Sequence, residues 1–212
     1  RNQLIILDAK NKELIKPIVR GRDTRRYYSN CSNLYMIISR FKGADELKSD
    51  YPELVKYLSK YESKLKKRGQ VRNGQHHWLE LDNNPQKEYF DSFLKPKIVF
   101  SEIVSEPQFY YDENGLFPEA TTFFIQGGNL KVLTALLNSK CCTYLFKQFY
   151  SGGALVGKYR YKKTFLLNLP IPYKEALEES EKIEKLVTEI QDKNASKNNF
   201  SKEDEELEKL IE

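Results

Sequence analysis

Apolar positions along the chain follow two different rhythms. Leu54, Leu58, Tyr61 and Leu65 recur at intervals of 4, 3 and 4, which is one face of a helix. Asp50 precedes that segment as a candidate cap, and Pro52 suits its first turn. Leu130, Leu133, Leu136 and Leu137 predict a second helix, entered after the Gly127-Gly128-Asn129 break and ended or capped at Asn138-Ser139. Tyr144, Leu145 and Phe149 continue an apolar face into a further helix, and residues 86–93 predict a short one stopped by Pro96. The other apolar runs are short and continuous. Residues 4–7, 33–39, 98–104, 108–111, 121–125 and 165–169 read as strands, the last ended by Pro170 and Pro172. Asp112-Glu113-Asn114-Gly115 is turn chemistry, so the runs 108–111 and 121–125 are expected to pair as neighbours. The mixture predicts an α+β (mixed α/β) globular domain.

Beyond Tyr173 the pattern changes. Ile183, Leu186, Val187 and Ile190 trace a helical stripe among Glu and Lys, residues 194–199 form a polar linker, and Ser201 with Asp204 makes a capping box for a helix bearing Leu207, Leu210 and Ile211. The expected organisation is a globular domain over 1–173 and a C-terminal helical hairpin over 174–212, an appendage or connector. A hairpin this polar needs a surface to cover its stripe: the same domain, another part of a longer parent chain, or a second protomer.

Charge divides at the same place. Residues 1–173 hold 28 Lys and Arg against 17 Asp and Glu, a net of +11. Residues 174–212 hold 7 against 13, a net of −6. A basic body fits a polyanionic partner or a merely solvated surface; clustering distinguishes the two. The densest cluster lies in the Gly-rich loop from Ser151 to Lys163, where Lys158, Arg160, Lys162 and Lys163 alternate with Tyr159 and Tyr161 and no acid interrupts. Cations in such a loop meet phosphates, and flat rings meet bases. A second cluster, Arg20, Arg22, Arg25 and Arg26, falls beside the turn permitted by Gly21 after Pro17. Arginine suits forked contacts to phosphate or guanine edges. Asp23 either orients one of these side chains or closes an Arg–Asp bridge that fixes the loop. A third cluster runs from Lys66, Lys67 and Arg68 through Arg72 to His76 and His77. Cations at a helix C-terminus are favourable in themselves, so this cluster is either a helix end or part of a nucleic-acid face. Trp78 is a packing anchor or a base-stacking residue.

Several chemistries fail on spacing. Cys31, Cys141 and Cys142 form no even framework and no CxxC, which leaves buried, reduced thiols. Two adjacent His residues without further ligands do not complete a zinc set. Gly152, Gly153, Gly157 and Lys158 lack P-loop spacing and the Ser or Thr after the Lys. Glu102 and Glu106 lack the Asp and downstream Lys of a metal nuclease. The chain starts at Arg1 rather than Met, shows no signal peptide and has no run long enough to span a bilayer. The expectation is a piece of a larger cytoplasmic protein with no membrane partner.

Taken in order, Lys16-Pro17-Ile18-Val19-Arg20-Gly21-Arg22-Asp23, residues 52–58, Trp78-Leu79-Glu80, Lys95-Pro96-Lys97-Ile98-Val99, residues 122–125, Ala135-Leu136-Leu137-Asn138-Ser139 and Leu169-Pro170-Ile171-Pro172 resemble a known family. It is the TaqI-like C-terminal specificity domain, the target recognition domain of bacterial type IIG restriction–modification enzymes and adenine-specific methyltransferases. Type I specificity subunits are a more distant likeness, with a role in assembly as well as recognition. The resemblance covers about residues 1–175. It implies a mixed α/β domain that reads a short double-stranded DNA sequence through the major groove. It also implies a helical region packed against the methyltransferase or endonuclease portion of the parent chain. Base-reading side chains in the family lie on variable loops, so none is carried over by motif; the Arg-Gly-Arg-Asp and Asn-Ser segments fit scaffold as well as readout. The parent would use S-adenosylmethionine and magnesium. This chain has neither the Asn-Pro-Pro-Tyr/Phe segment nor the Gly-rich loop for that cofactor, so no catalytic residue is assigned here. An enzyme built on Glu102, Glu106 or His76 is the weakest expectation. The account requires residues 20–26 and 158–163 to meet on one side of the body.

Overall fold

The computed structural model describes residues 2–31, 33–40, 42–82, 87–154, 156–195 and 201–211. It resolves into two compact units, residues 1–18 with 33–92, and residues 19–32 with 93–212.

In the first unit, Ile15, Lys16 and Pro17 pair antiparallel with Ile37, Met36 and Tyr35. Against this ribbon packs the stripe that the spacing predicts. Leu54 is buried in the helix Pro52–Ser59, and Leu58 packs on the same cluster as Ile15, Leu47, Tyr51 and Leu79. Pro52 occupies the first turn, but Asp50 does not cap it. Asp50 ends an unforeseen helix, Ala44–Asp50, and its carboxylate accepts from Lys10 Nζ and the Ser49 hydroxyl. The stripe also breaks: the helix stops at Ser59 and resumes as Glu62–Leu65, leaving Tyr61 exposed. Residues 4–7 belong to a helix, Asn2–Leu7, rather than a strand. A four-residue apolar run shows no period. Here Leu4 and Ile5 face the core while Ile6 and Leu7 stand exposed.

In the second unit the strand Lys97–Ser101, buried at every position, takes the centre of a sheet. Tyr110–Asp112 pairs along one edge and Thr122–Ile125 along the other, both antiparallel. The two outer strands therefore do not pair with each other, against the expectation from the turn between them; the fully buried strand separates them. The turn itself forms, with Asp112 Oδ1 accepting from Asn114 N and Gly115 in the left-handed region at φ +69°. The run 98–104 divides at Glu102, and Ile103–Val104 pairs instead with Tyr159–Arg160.

The helix Leu130–Asn138 forms as its period predicts, and Ser139 caps the next helix, Lys140–Leu145, by accepting from Cys142 N. One apolar cluster joins the sheet to these helices through Ile98, Phe100, Phe109, Leu137 and Phe146. A second joins Val132, Ala135 and Leu136 to Ile183, Val187, Ile190 and Leu207 of the helices Ser180–Ala195 and Ser201–Ile211. The C-terminal stripe is thus covered within its own unit. Asp204, three residues into the last helix, accepts from Arg26 through Oδ2. Residues 165–169 are not a strand: Lys163–Leu166 is one helical turn, with Phe165 N and Leu166 N both donating to Lys162 O. The short helix before Pro96 spans Lys87–Leu94; Gln86 and residues 196–199 of the linker lie outside the described residues. No described helix is long and apolar enough to cross a membrane.

Candidate nucleic-acid interface

Residues 20–26 are a braced turn. Asp23 N donates to Arg20 O at 2.9 Å, closing a short 3-10 turn. The Arg20 guanidinium forks back onto Asp23, with Nε–Oδ2 at 2.6 Å and Nη2–Oδ1 at 3.0 Å. Those hydrogen bonds hold the Asp23 carboxyl below the usual carboxylate range. Gly21 is required by close approach: a Cβ there would lie 2.7 Å from Ser101 Oγ and 2.9 Å from Thr121 O. Arg25 turns inward, Nη1 donating to Arg22 O and Thr24 O. Arg26 is engaged three times, by Nε to Asn138 O, Nη1 to Asp204 and Nη2 to Glu208, with its guanidinium over the Tyr27 ring. Tyr27 is buried, and its N donates to Phe109 O. The Asn138 side chain clamps Phe109, accepting from its N and donating to its O. Glu208 also accepts from Lys140 N at the start of the next helix. Of the four arginines, Arg20 and Arg26 therefore hold the scaffold, Arg25 partly so, and Arg22 alone is exposed with no hydrogen bond from its side chain.

The second segment is held by its tyrosines. Tyr161 is buried, stacked on Phe146 at 4.1 Å and edge-on to Phe109 at 5.6 Å. Its N donates to Glu102 O at 2.7 Å. Alternation places Tyr159 on the same side, half-buried beside that cluster with Lys147 Nζ over its ring at 5.3 Å. Tyr161 is an anchor, and Tyr159 packs on the same cluster while keeping part of its surface exposed. Arg160 points the other way. Its Nε lies 3.5 Å from Glu102 Oε1. Lys158 and Lys163 are exposed, and Lys162 opens the following turn with its backbone. Gly152, at φ +68°, is the seat for Phe165, whose ring stands 2.7 Å from where a Cβ would be.

The two segments, more than a hundred residues apart, are fastened to adjacent residues. Gly21 rests on Ser101, and Tyr161 is bonded to Glu102, the next residue. Consecutive Cα atoms are about 3.8 Å apart, so Arg22 and Arg160 rise from backbones fastened to neighbouring positions at the end of the central strand.

The third cluster belongs to the other unit. Arg68 is internal there, donating from Nε to Leu65 O and from Nη2 to Trp78 O and Glu80 O. Lys66 pairs with Glu62 one turn back at 2.6 Å. Lys67 and Arg72 are exposed. His76 Nδ1 lies 3.6 Å from Glu80 Oε2, and His77 Nδ1 accepts from Leu79 N. Trp78 packs on the core as an anchor. Among the described residues no group of three or more His, Cys, Asp or Glu is placed to hold a metal. Burial pushes the Cys31 and Cys142 thiols up, and Cys141, expected inside, is exposed.

Comparison with known proteins follows this geometry. The TaqI-like C-terminal specificity domain matches residues 16–171. Type II methyltransferase M.BanIII of Aneurinibacillus aneurinilyticus is 27% identical over 136 residues, 60% of this chain and 23% of that protein. Type II methyltransferase M.MjaIV of Methanocaldococcus jannaschii is 26% identical over 193 residues, 87% of this chain and 62% of that protein. The chain thus spans under two thirds of either relative. The structure of the type IIL restriction-modification enzyme MmeI in complex with DNA matches with a TM-score of 0.60 at 15% identity, covering 99% of this chain and 29% of that one.

Proposed function

Because the chain belongs to the family of TaqI-like C-terminal specificity domains, we propose that it reads a short double-stranded DNA sequence on behalf of a longer adenine-specific methyltransferase or type IIG restriction–modification enzyme. The attachment of the two basic segments to the adjacent residues Ser101 and Glu102 carries this reading, with support from the type II methyltransferase relatives and from a fold neighbour solved with DNA. Arg22, Lys158, Lys162 and Lys163 contact phosphates, Arg160 reaches base edges, and Arg25 contributes its outer edge. In the other unit Lys66, Lys67 and Arg72 hold the backbone beside His76 and His77. Arg20, Arg26 and Arg68 support these groups rather than touch DNA. S-adenosylmethionine and magnesium would be bound by the remainder of the parent, since no motif for either lies here. With the C-terminal helices already covered in their own unit, an assembly role is not needed to explain them.

Selection of duplexes from a randomised pool by the 212-residue chain tests this. One sequence should emerge, bound at least about a thousandfold more tightly than random duplex. Affinity should fall with salt at a log–log slope of about −0.9 per phosphate contact. Equal binding of all duplexes overturns the reading.

A further inference from the structure

Glu102 sits at the break between two strands, where a bulge or turn redirects a side chain. It holds the 159–161 strand twice. Its carbonyl accepts from Tyr161 N, and its carboxylate faces Arg160 Nε. The Arg160 Nε atom is buried, yet the Arg160 side chain as a whole is 40% exposed. The exposed part therefore lies elsewhere on the side chain than Nε. Tyr159 and Tyr161 fix the backbone on either side. Glu102 pairs with this guanidinium by charge, without a hydrogen bond to Nε, and the pairing biases where the planar fork of Nη1 and Nη2 lies. That fork matches the O6 and N7 acceptors of guanine in the major groove. A phosphate-binding cation gains nothing from a carboxylate beside it, because the negative charge weakens attraction to the backbone. A base-reading fork gains orientation and loses non-specific attraction.

We propose that Glu102 is a positioning residue that sets Arg160 to read one guanine, and that the pair determines specificity at one base pair. This rests on the duplex-reading function above. The test uses the 212-residue chain, its selected duplex and a random duplex of equal length. Replacing one guanine by 7-deazaguanine, which removes N7, should weaken wild-type binding roughly 5- to 150-fold. Arg160→Ala and Glu102→Gln should each relax preference at that same position and no other, and the double variant should lose no more than Arg160→Ala alone. Random-duplex affinity should stay level or rise in Glu102→Gln. If instead Glu102→Gln tightens selected and random duplexes alike and Arg160→Ala reduces the salt slope by about 0.9, Arg160 is a phosphate contact and the inference fails. Uniform loss on all sequences with a lowered melting temperature makes the pair structural, which also overturns it. In both cases the wild-type chain still selects a sequence, so the proposed function stands; a wild type that selects none overturns both.

Discussion

Replacing Arg26 by Ala should unfold the protein more readily without changing which DNA it prefers. The Arg26 guanidinium bonds Asn138 O at 3.2 Å and Glu208 Oε1 at 2.7 Å, pairs with Asp204, and lies 4.7 Å over the Tyr27 ring. The Asp204 side chain is 25% exposed, so water screens that contact, whereas that of Glu208 is 7% exposed and has little access to water. A screened pair is worth about 0.5–1 kcal/mol, a hydrogen bond to a charged group about 1.5–3 kcal/mol and the cation–ring contact about 0.5 kcal/mol. The loss is about 3 kcal/mol, below the ~5 kcal/mol upper end for breaking a fully buried pair. With a urea slope of about 2–3 kcal/mol/M the midpoint should fall by roughly 1–1.5 M. Circular dichroism at 222 nm follows the helices, and Trp78, the sole tryptophan, reports on the other unit separately. Arg26→Lys should not restore the midpoint, because one ammonium lacks the planar fork that reaches all three acceptors. Arg22→Ala, on an exposed side chain, should stay within about 0.5 kcal/mol of wild type. An Arg26→Ala protein with an unchanged midpoint and altered base preference would refute the scaffold role and return Arg26 to the DNA-reading set.

Two further outcomes follow from buried or braced charges. Lys97 and Asp112 side chains are both fully buried, with Lys97 also donating to Phe93 O and Asp112 accepting from Leu116 N; Lys97→Met should cost about 3–5 kcal/mol by stranding the carboxylate, and a loss under about 1 kcal/mol in urea melts would show that water reaches the pair. Asp23 has its folded carboxyl lowered by Arg20, so its contribution is complete above the unfolded value near 3.9 and disappears as pH falls through the lower folded value. The stability gap between wild type and Asp23→Asn should therefore close in acid melts, and a gap that persists unchanged to about pH 2 would contradict the assignment.

Sequence pattern found the helix with a clear period, while short apolar runs read as strands held at 98–101 and 122–125 and failed at 4–7 and 165–169. Leu130 to Leu137 spans enough turns for its stripe to be unambiguous, and the helix forms there. The four or five apolar residues at 4–7 and 165–169 have no period to read, and both became helical turns. The cationic clusters were visible as clusters, but not which members were engaged. The partners of Arg26 are 178 and 182 positions away. Local charge density sees only neighbours, so Arg20 could be suspected of bridging Asp23 three residues on, while Arg26 could not be told from Arg22. Glu102 was noticed as a carboxylate without a catalytic partner. Its role depends on Arg160, brought beside it only by the pairing of Ile103 with Arg160.

That separation of engaged from exposed cations bears on how such a domain changes what it reads. Arg20–Asp23 braces the turn at 20–26 internally, Arg26–Glu208 ties it to the last helix and Asn138 clamps Phe109, and removing any of them weakens the unit that carries both loops. Arg22, Lys158 and Lys163 are exposed, so their replacement alters the surface at little structural cost. Arg160 lies between these classes. Its backbone is fixed by the strand pair and by the buried Tyr161, and its side chain forms an ion pair with Glu102. Specificity at that point is therefore the property of a pair: exchanging Arg160 alone leaves Glu102 with no cation to position, and the preference at that one base pair is lost. Productive change of the base read there requires both residues to change together, a coupling that the strand break at Glu102 builds into the fold.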